Sequence, residues 1–231
     1  MEIVSLADGR KTIYLDVSEL EELDDKDCYA HCSVPGISER SYVSKLYEKG
    51  FMFAGRSVTL EVPLFRWKNT FRTGERYAFI CDGEWDTERV FHVAKNHFAN
   101  DHRFNPDIRS EHNSELKNYL LKDYIERCRC NNCRGEFCTD SGKDVGFNLW
   151  SMQGEEARIV LGAVMPEYSH TGIALYLYAK TLENMLESGV RILREKISVS
   201  NMVSFNMHTM IFQKGGVGFK LVDFTDFYLR G

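Results

Sequence analysis

Proline is scarce, four residues in 231, and no Gly/Ser/Pro-rich tract, internal repeat or low-complexity segment interrupts the chain, so any division into domains must be tight. No apolar run approaches the length needed to cross a bilayer. The first ten residues, Met1 to Arg10, hold no basic stretch leading into an apolar one. A soluble, cytoplasmic protein without a membrane partner is the expectation. An excess of basic residues is also missing: 29 Lys and Arg stand against 34 Asp and Glu, and the cations are scattered rather than massed. Nucleic acid is therefore not an expected partner. The seven cysteines are odd in number, which speaks against a secreted disulfide framework. Four crowd together as Cys128, Cys130, Cys133 and Cys138, which invites a zinc reading. The only other close couple, Cys28 and Cys32, lies far upstream, so reduced thiols with Cys138 inside a strand are favoured and no metal is assigned.

What is present suffices for one large core or two modest ones, since 43% of residues are hydrophobic and 13% aromatic. The first 35 residues are acidic, as in Glu19-Leu-Glu-Glu-Leu-Asp-Asp-Lys-Asp27, and read as a solvated face. Tyr42, Val43, Leu46 and Tyr47 recur at helical spacing before Gly50, a helix stop. Val58, Leu60, Val62 and Leu64 then alternate with Ser57, Thr59, Glu61 and Pro63, the period of a strand. Two helices are expected from about Asp86 to Phe98 and from about Asn113 to Arg127. Between them lies the polar, aromatic loop Asp101-His-Arg-Phe-Asn-Pro106. Three strand-like runs near 135–139, 145–150 and 158–165 form an antiparallel meander. A helix from Gly172 to Ser188, a strand Lys196 to Ser200 and a helix from Met202 to Lys214 follow, and such a crossover demands parallel pairing. Asp226 to Arg230 is a last strand that closes the sheet. The fold class is α+β, a mixed, mostly antiparallel sheet with one parallel pair and helices on both faces. Residues 1–75 read as an N-terminal α/β subdomain and 76–231 as the main domain.

The segment from Arg158 to Tyr228 carries the chemistry. A strand passes through Pro166-Glu-Tyr-Ser-His-Thr-Gly172 straight into a helix, so backbone N–H groups from about His170 to Ala174 can converge on an anion such as a diphosphate. A glycine in such a turn is more often a packing device, and Asn201, just past the next strand, is a better helix cap than ligand contact. His208 lies seven residues on, two turns into the helix and on nearly the same face as Asn201.

The string Val164-Met-Pro-Glu-Tyr-Ser-His-Thr-Gly-Ile-Ala174, the helix ending Glu187-Ser-Gly189, Ile197-Ser-Val-Ser-Asn201, Ser204, His208 and Phe227-Tyr-Leu229 together resemble the acetyl-CoA-dependent GNAT N-acetyltransferases. Leu46-Tyr-Glu-Lys-Gly-Phe51, Phe98 to Phe104 and Tyr119 to Ile125 resemble an amino-sugar N-acetylating branch typified by TDP-fucosamine acetyltransferase; residues before about 38 are not covered. The resemblance implies an acyltransferase with acetyl-CoA as acyl-donor co-substrate, a small-molecule amine as acceptor and a homodimer as a possible assembly. It implies that Ala163 and Val164 pair with the pantetheine arm and that the loop Ser169, His170, Thr171, Gly172, Ile173 and Ala174 holds the diphosphate. Asn201 would touch the pantetheine, and His208 would protonate the departing thiolate where the family commonly has tyrosine. Ser169 stands where Arg or Gln is usual. These two departures feed an alternative, a degenerate CoA-fold module that binds partners without catalysis. The favoured acceptor is a nucleotide-linked amino sugar, the alternative another amine: a protein N-terminus, a polyamine or an antibiotic. His102, Arg103 and Phe104 are the candidate substrate contacts, Arg103 for a diphosphate and Phe104 for a ring. A surface Arg with a buried Phe anchor is the competing and preferred reading of that pair. The general base stays open among His102, Asp101, Glu167 and a water chain.

Overall fold

The computed structural model describes residues 1–5, 11–23, 29–36, 40–71, 77–81, 84–98, 101, 103–104 and 114–230. Strands β1 (Glu2–Ser5), β2 (Lys11–Asp16), β3 (Tyr29–Pro35), β4 (Met52–Val62) and β5 (Tyr77–Ile80) precede β6 (Arg134–Asp140), β7 (Lys143–Gln153), β8 (Glu156–Val164), β9 (Ile192–Ser198) and β10 (Lys220–Arg230). Helices are α1 (Arg40–Glu48), α2 (Thr87–Ala94), α3 (Ser114–Cys130), α4 (Ile173–Glu187) and α5 (Met202–Lys214). All ten strands join one sheet in the order β1-β2-β3-β10-β4-β9-β8-β7-β6-β5. No helix among the described residues is long and apolar enough to cross a membrane.

The helices fall where apolar spacing places them because each lays its row on a face of this sheet. On one face, α2 and α3 pack Val90, Val93, Leu120 and Ile125 on Phe137, Phe147, Leu149 and Leu161. On the other, α4 and α5 pack Leu182, Met185, Ile211 and Phe212 on Leu60, Val62, Trp150 and Leu193. Strand alternation divides β7 between the two, Phe147 and Leu149 facing one core and Trp150 the other. Helix α1 stops as expected at Gly50, whose φ of +80° lets the Phe51 amide reach the Leu46 carbonyl at 2.9 Å.

Three expectations are corrected. The acidic start is not a solvated face: it forms β1 to β3, and a 3₁₀ turn over Val17–Glu22, capped by Asp16 and Glu19, buries Leu20 and Leu23. Glu21 and Glu22 are exposed while Leu20 and Leu23 fill a core, an amphipathic pattern hidden by the charge density. It also brings a second parallel pair, β2 with β3. The last strand is longer than the expected Asp226 to Arg230 and lies inside the sheet. Strand β10 begins at Lys220 and lies between β3 and β4. Strand β9 starts at Ile192, earlier than the apolar pattern near 196–200 suggested, because Arg194, Glu195 and Lys196 interrupt the apolar signal inside it.

Strand β4 depends on partners distant in sequence, sitting antiparallel between β9 (Leu60↔Glu195) and β10 (Leu60↔Leu221). Leu60 is fully buried. Leu60→Ala is expected to destabilise the fold by about 2–5 kcal/mol, read by denaturant unfolding of the whole chain.

Candidate functional site

Strands β8 and β9 run parallel and pair only at Glu156↔Ile192, Ala157↔Leu193 and Arg158↔Arg194. Beyond Arg158 each keeps its other neighbour, β8 on β7 up to Val164↔Gly146 and β9 on β4 up to Ser198↔Ser57. The two part company there: the backbone edge of β8 from Ile159 to Val164 does not pair with β9, and although the Val160 carbonyl accepts the Tyr124 hydroxyl at 3.4 Å, the edge keeps other main-chain groups for an extended ligand. Ala163 and Val164 close this edge. Their side chains are buried on opposite faces, Ala163 with α2 and α3, Val164 against Ile173 and Leu177 of α4.

The chain leaves β8 through a 3₁₀ turn over Pro166–Tyr168, tied to β6 by the Tyr168 hydroxyl on Asp140 at 3.2 Å. It enters the 15-residue helix α4 at Gly172, which stands at the N-cap with φ of +79° and no side-chain cap. The first helical amides, from Ile173 onward, therefore meet no intrahelical carbonyl and lie at the positive end of the helix dipole. Not every loop amide is available. Ser169 N–H bonds the Pro166 carbonyl at 3.1 Å, and Thr171 gives both its N–H (3.2 Å) and its hydroxyl (2.7 Å) to the Tyr168 carbonyl. Ser169, His170, Thr171 and Gly172 are exposed, Ile173 has a buried side chain, and Ala174 is half-buried. Ser169 and Thr171 thus spend their N–H groups within the turn itself, while the first turn of α4 keeps its amides outside the helical ladder.

Across the gap, Asn201 caps α5 by accepting the Ser204 N–H at 3.0 Å. His208, on the same helix, is enclosed. Its side chain is 12% exposed, and its ring stacks on Tyr178 of α4 at 4.4 Å between centroids and 23° between planes. Its Nδ1 lies 3.1 Å from Oε2 of Glu195, a β9 residue whose side chain is 2% exposed. The Tyr178 hydroxyl donates to Oε1 of the same carboxylate. Burial, and then the Glu195 charge, push the Tyr178 phenol well above its ordinary pKa, so it stays a protonated donor. Glu195 and Tyr178 were not singled out from the sequence. Leu193 and Ile197 alternate into the core with Glu195 between them, and a carboxylate on an apolar strand face is the available signal.

A cavity of about 440 Å³ opens around the separation point, lined among others by Thr59 of β4, Arg158 of β8, Arg194 and Lys196 of β9 and Asp223 of β10. Arg194 is held by Glu61 at 3.0 Å and Glu156 at 3.2 Å, and Arg158 by Glu156 at 3.1 Å. Lys196 has a neutral hydrogen-bond partner instead, the Thr225 hydroxyl at 3.0 Å. Burial holds its ammonium below the ordinary lysine pKa, against the opposing pull of Asp223. A cation facing a cavity without a carboxylate partner in hydrogen-bond reach is suited to an anionic group of a ligand.

The loop after α2 is arranged differently from its substrate-contact reading. Phe104 is 2% exposed and packs edge-on against Phe98 and Tyr124, so its ring is a core anchor. Arg103 is engaged by the Asp101 carboxylate, with Nη2 to Oδ2 at 2.8 Å. His102 lies outside the described residues. Cys128, Cys133 and Cys138 are buried and Cys130 is exposed, all with free thiols, and the Cys133 N–H donates to the Cys128 carbonyl at 3.0 Å. Among the described residues no group of three or more His, Cys, Asp or Glu side chains is placed to hold a metal ion.

The sheet order, the parting parallel pair and the helices on both faces define the GNAT fold, and solved structures share it. A functionally unknown conserved protein from Staphylococcus epidermidis superposes with a TM-score of 0.63 and 13% identity, over 96% of this chain and 84% of its own. A tandem GNAT protein from the clavulanic acid biosynthesis pathway gives 0.60 and 12%, over 92% of this chain and 67% of its own. A GCN5-related glucosamine N-acetyltransferase region of a fungal multi-domain GH3 β-N-acetylglucosaminidase gives 0.62 and 11%; it covers 99% of this chain, which spans 30% of that protein. No profile of a known protein family matches the chain, and no curated protein does.

A Cβ at Gly172 meets only Tyr176 at 3.6 Å, an ordinary contact, so the obstacle to a side chain is the positive φ. Gly172→Ala is expected to cost about 1–2 kcal/mol of stability by denaturant unfolding and to weaken anion binding at this corner.

Proposed function

We propose that the protein is an acetyl-CoA-dependent N-acetyltransferase acting on a primary amine of a small acceptor. The observation that carries this reading is the separation of β8 from β9 directly ahead of the uncapped α4 N-terminus. An unpaired strand edge suits the peptide-like pantetheine arm, and the helix amides suit the diphosphate at its end. On this reading Ala163 and Val164 hold the arm, Gly172, Ile173 and Ala174 the diphosphate, and Asn201 flanks the arm while capping α5. Residues 76–231 form the acetyltransferase unit, and residues 1–75 form the substrate-side segment that lays β4 against β9.

The reaction needs four events. A neutral amine attacks the thioester carbonyl and a C–N bond forms. The oxyanion is held by a backbone donor, for which the Val164 N–H is assigned. The C–S bond breaks as the sulfur takes a proton from the His208 imidazolium, and the nitrogen loses its proton to water. No covalent enzyme intermediate arises.

A nucleotide-linked amino sugar is the acceptor we favour. In the cavity beside the strand gap Lys196, whose hydrogen-bond partner is the neutral Thr225 hydroxyl, is the cation offered to a phosphate, with the carboxylate-paired Arg158 and Arg194 guanidiniums beside it. The glucosamine-acetylating region among the structural neighbours is consistent with an amino-sugar acceptor.

Acetyl-CoA at 100 times its dissociation constant should stabilise the fold by about 2.7 kcal/mol in a thermal-shift titration. His208→Ala should retain that shift and lose about 10²–10⁴-fold in turnover by free-thiol release. Absence of the shift, or an unchanged rate, removes the reading or the histidine respectively. Lys196→Ala is expected to raise KM for a phosphate-bearing amine by about 10–100-fold, the loss of one charge-assisted hydrogen bond, in steady-state kinetics. An uncharged amine should respond far less.

A further inference from the structure

Glu195 is out of place by composition. It sits on the inward face of β9 between Leu193 and Ile197, with 2% of its side chain exposed, where a carboxylate without partners is strongly disfavoured. It lies at the first β9 position past the last β8–β9 pair, Arg158↔Arg194, so it marks the point where the two strands separate. Its two oxygens are divided. Oε1 accepts from the Tyr178 hydroxyl, and Oε2 faces Nδ1 of His208 at 3.1 Å. Neither Oε2 nor Nδ1 makes a hydrogen bond to any other group, so each is the other's nearest polar partner although the ring N–H is not aligned on the oxygen. The imidazole is also fixed in plane by the Tyr178 ring stacked at 4.4 Å. Three elements, β9, α4 and α5, thus converge on one ring.

We propose that Glu195 is a positioning residue that fixes the tautomer of His208, with Tyr178 as the group that orients the carboxylate. A carboxylate oxygen at 3.1 Å tolerates a donor and repels a lone pair, so the proton on Nδ1 is held toward Glu195 in both states of the ring. Nε2 is then the nitrogen that gains and loses a proton: a donor when the imidazole is charged, a lone pair when it is neutral. That makes His208 a competent acid at one defined atom, and the negative carboxylate balances the imidazolium in a site nearly closed to water. The Tyr178 hydroxyl occupies Oε1 and so leaves Oε2 to the histidine. The catalytic part of the inference rests on the acetyltransferase reading; the tautomer does not.

The test uses the full chain labelled with ¹⁵N on histidine, the His208 resonances being identified by their loss in His208→Gln. In the wild type, the neutral ring is expected to carry its proton on Nδ1. In Glu195→Gln, whose amide can donate to Nδ1, the proton should shift to Nε2. Turnover should fall about 10–100-fold with KM for acetyl-CoA nearly constant, the size typical of losing a partner that orients a histidine. Tyr178→Phe, which keeps the stacking, should give a smaller loss of the same kind. A wild-type ring protonated on Nε2 overturns the proposal without any variant, and so does a Glu195→Gln enzyme as fast as the wild type. If the wild type acetylates no amine, the acetyltransferase reading fails by itself and the tautomer still decides the role of Glu195.

Discussion

The structure depends on two neighbouring strands that begin as partners and then separate. Backbone groups at an unpaired strand edge are costly unless something satisfies them, so a sheet that opens between interior strands needs each strand held firmly from its far side. Here β7 holds β8 along its length and β4 holds β9, while α4 and α5 cover the opening with a continuous apolar core. The gap is stable because the rest of the sheet is closed. The same opening exposes a strand edge, ends at a helix N-terminus and admits a buried carboxylate to the His208 ring, so its three chemical resources share one cause.

The legible parts of the fold were those with a strong period and a clean stop. Helix α5 matches its expected span because Met202 to Lys214 is bounded by an asparagine cap and a glycine, and the β6 to β8 meander is punctuated by turn residues. Glycine-containing turns also revealed the strand-to-helix corner at Gly172. The parts that escaped were fixed by partners far away in sequence. The leucines of the acidic start find their core only once β2, β3 and α1 are in place, and no local pattern says that β10 lies between β3 and β4. Pairing register is a property of the closed sheet, whereas apolar spacing belongs to the segment alone.

The site divides along the same line. The backbone contribution was visible because a glycine at a helix start has a short-range meaning. Side-chain contributions were less so: Phe104 is the buried anchor preferred for it, but no local pattern told that Arg103 would be engaged by Asp101 two residues away. Glu195 was passed over because it sits among Arg194 and Lys196, where a carboxylate looks like surface. Strand alternation alone buries its side chain while those of its two basic neighbours stay accessible.

The position of β4 has a consequence for how the molecule comes to exist. Residues 52–62 find both of their strand neighbours, 192–198 and 220–230, far along the chain. The central strand of the sheet therefore cannot be completed by segments close to it in sequence, and the strand gap acquires its far wall only when these remote segments dock. Folding is governed by closure of loops more than a hundred residues long, and the polypeptide is most vulnerable to chaperone capture and proteolysis before they close.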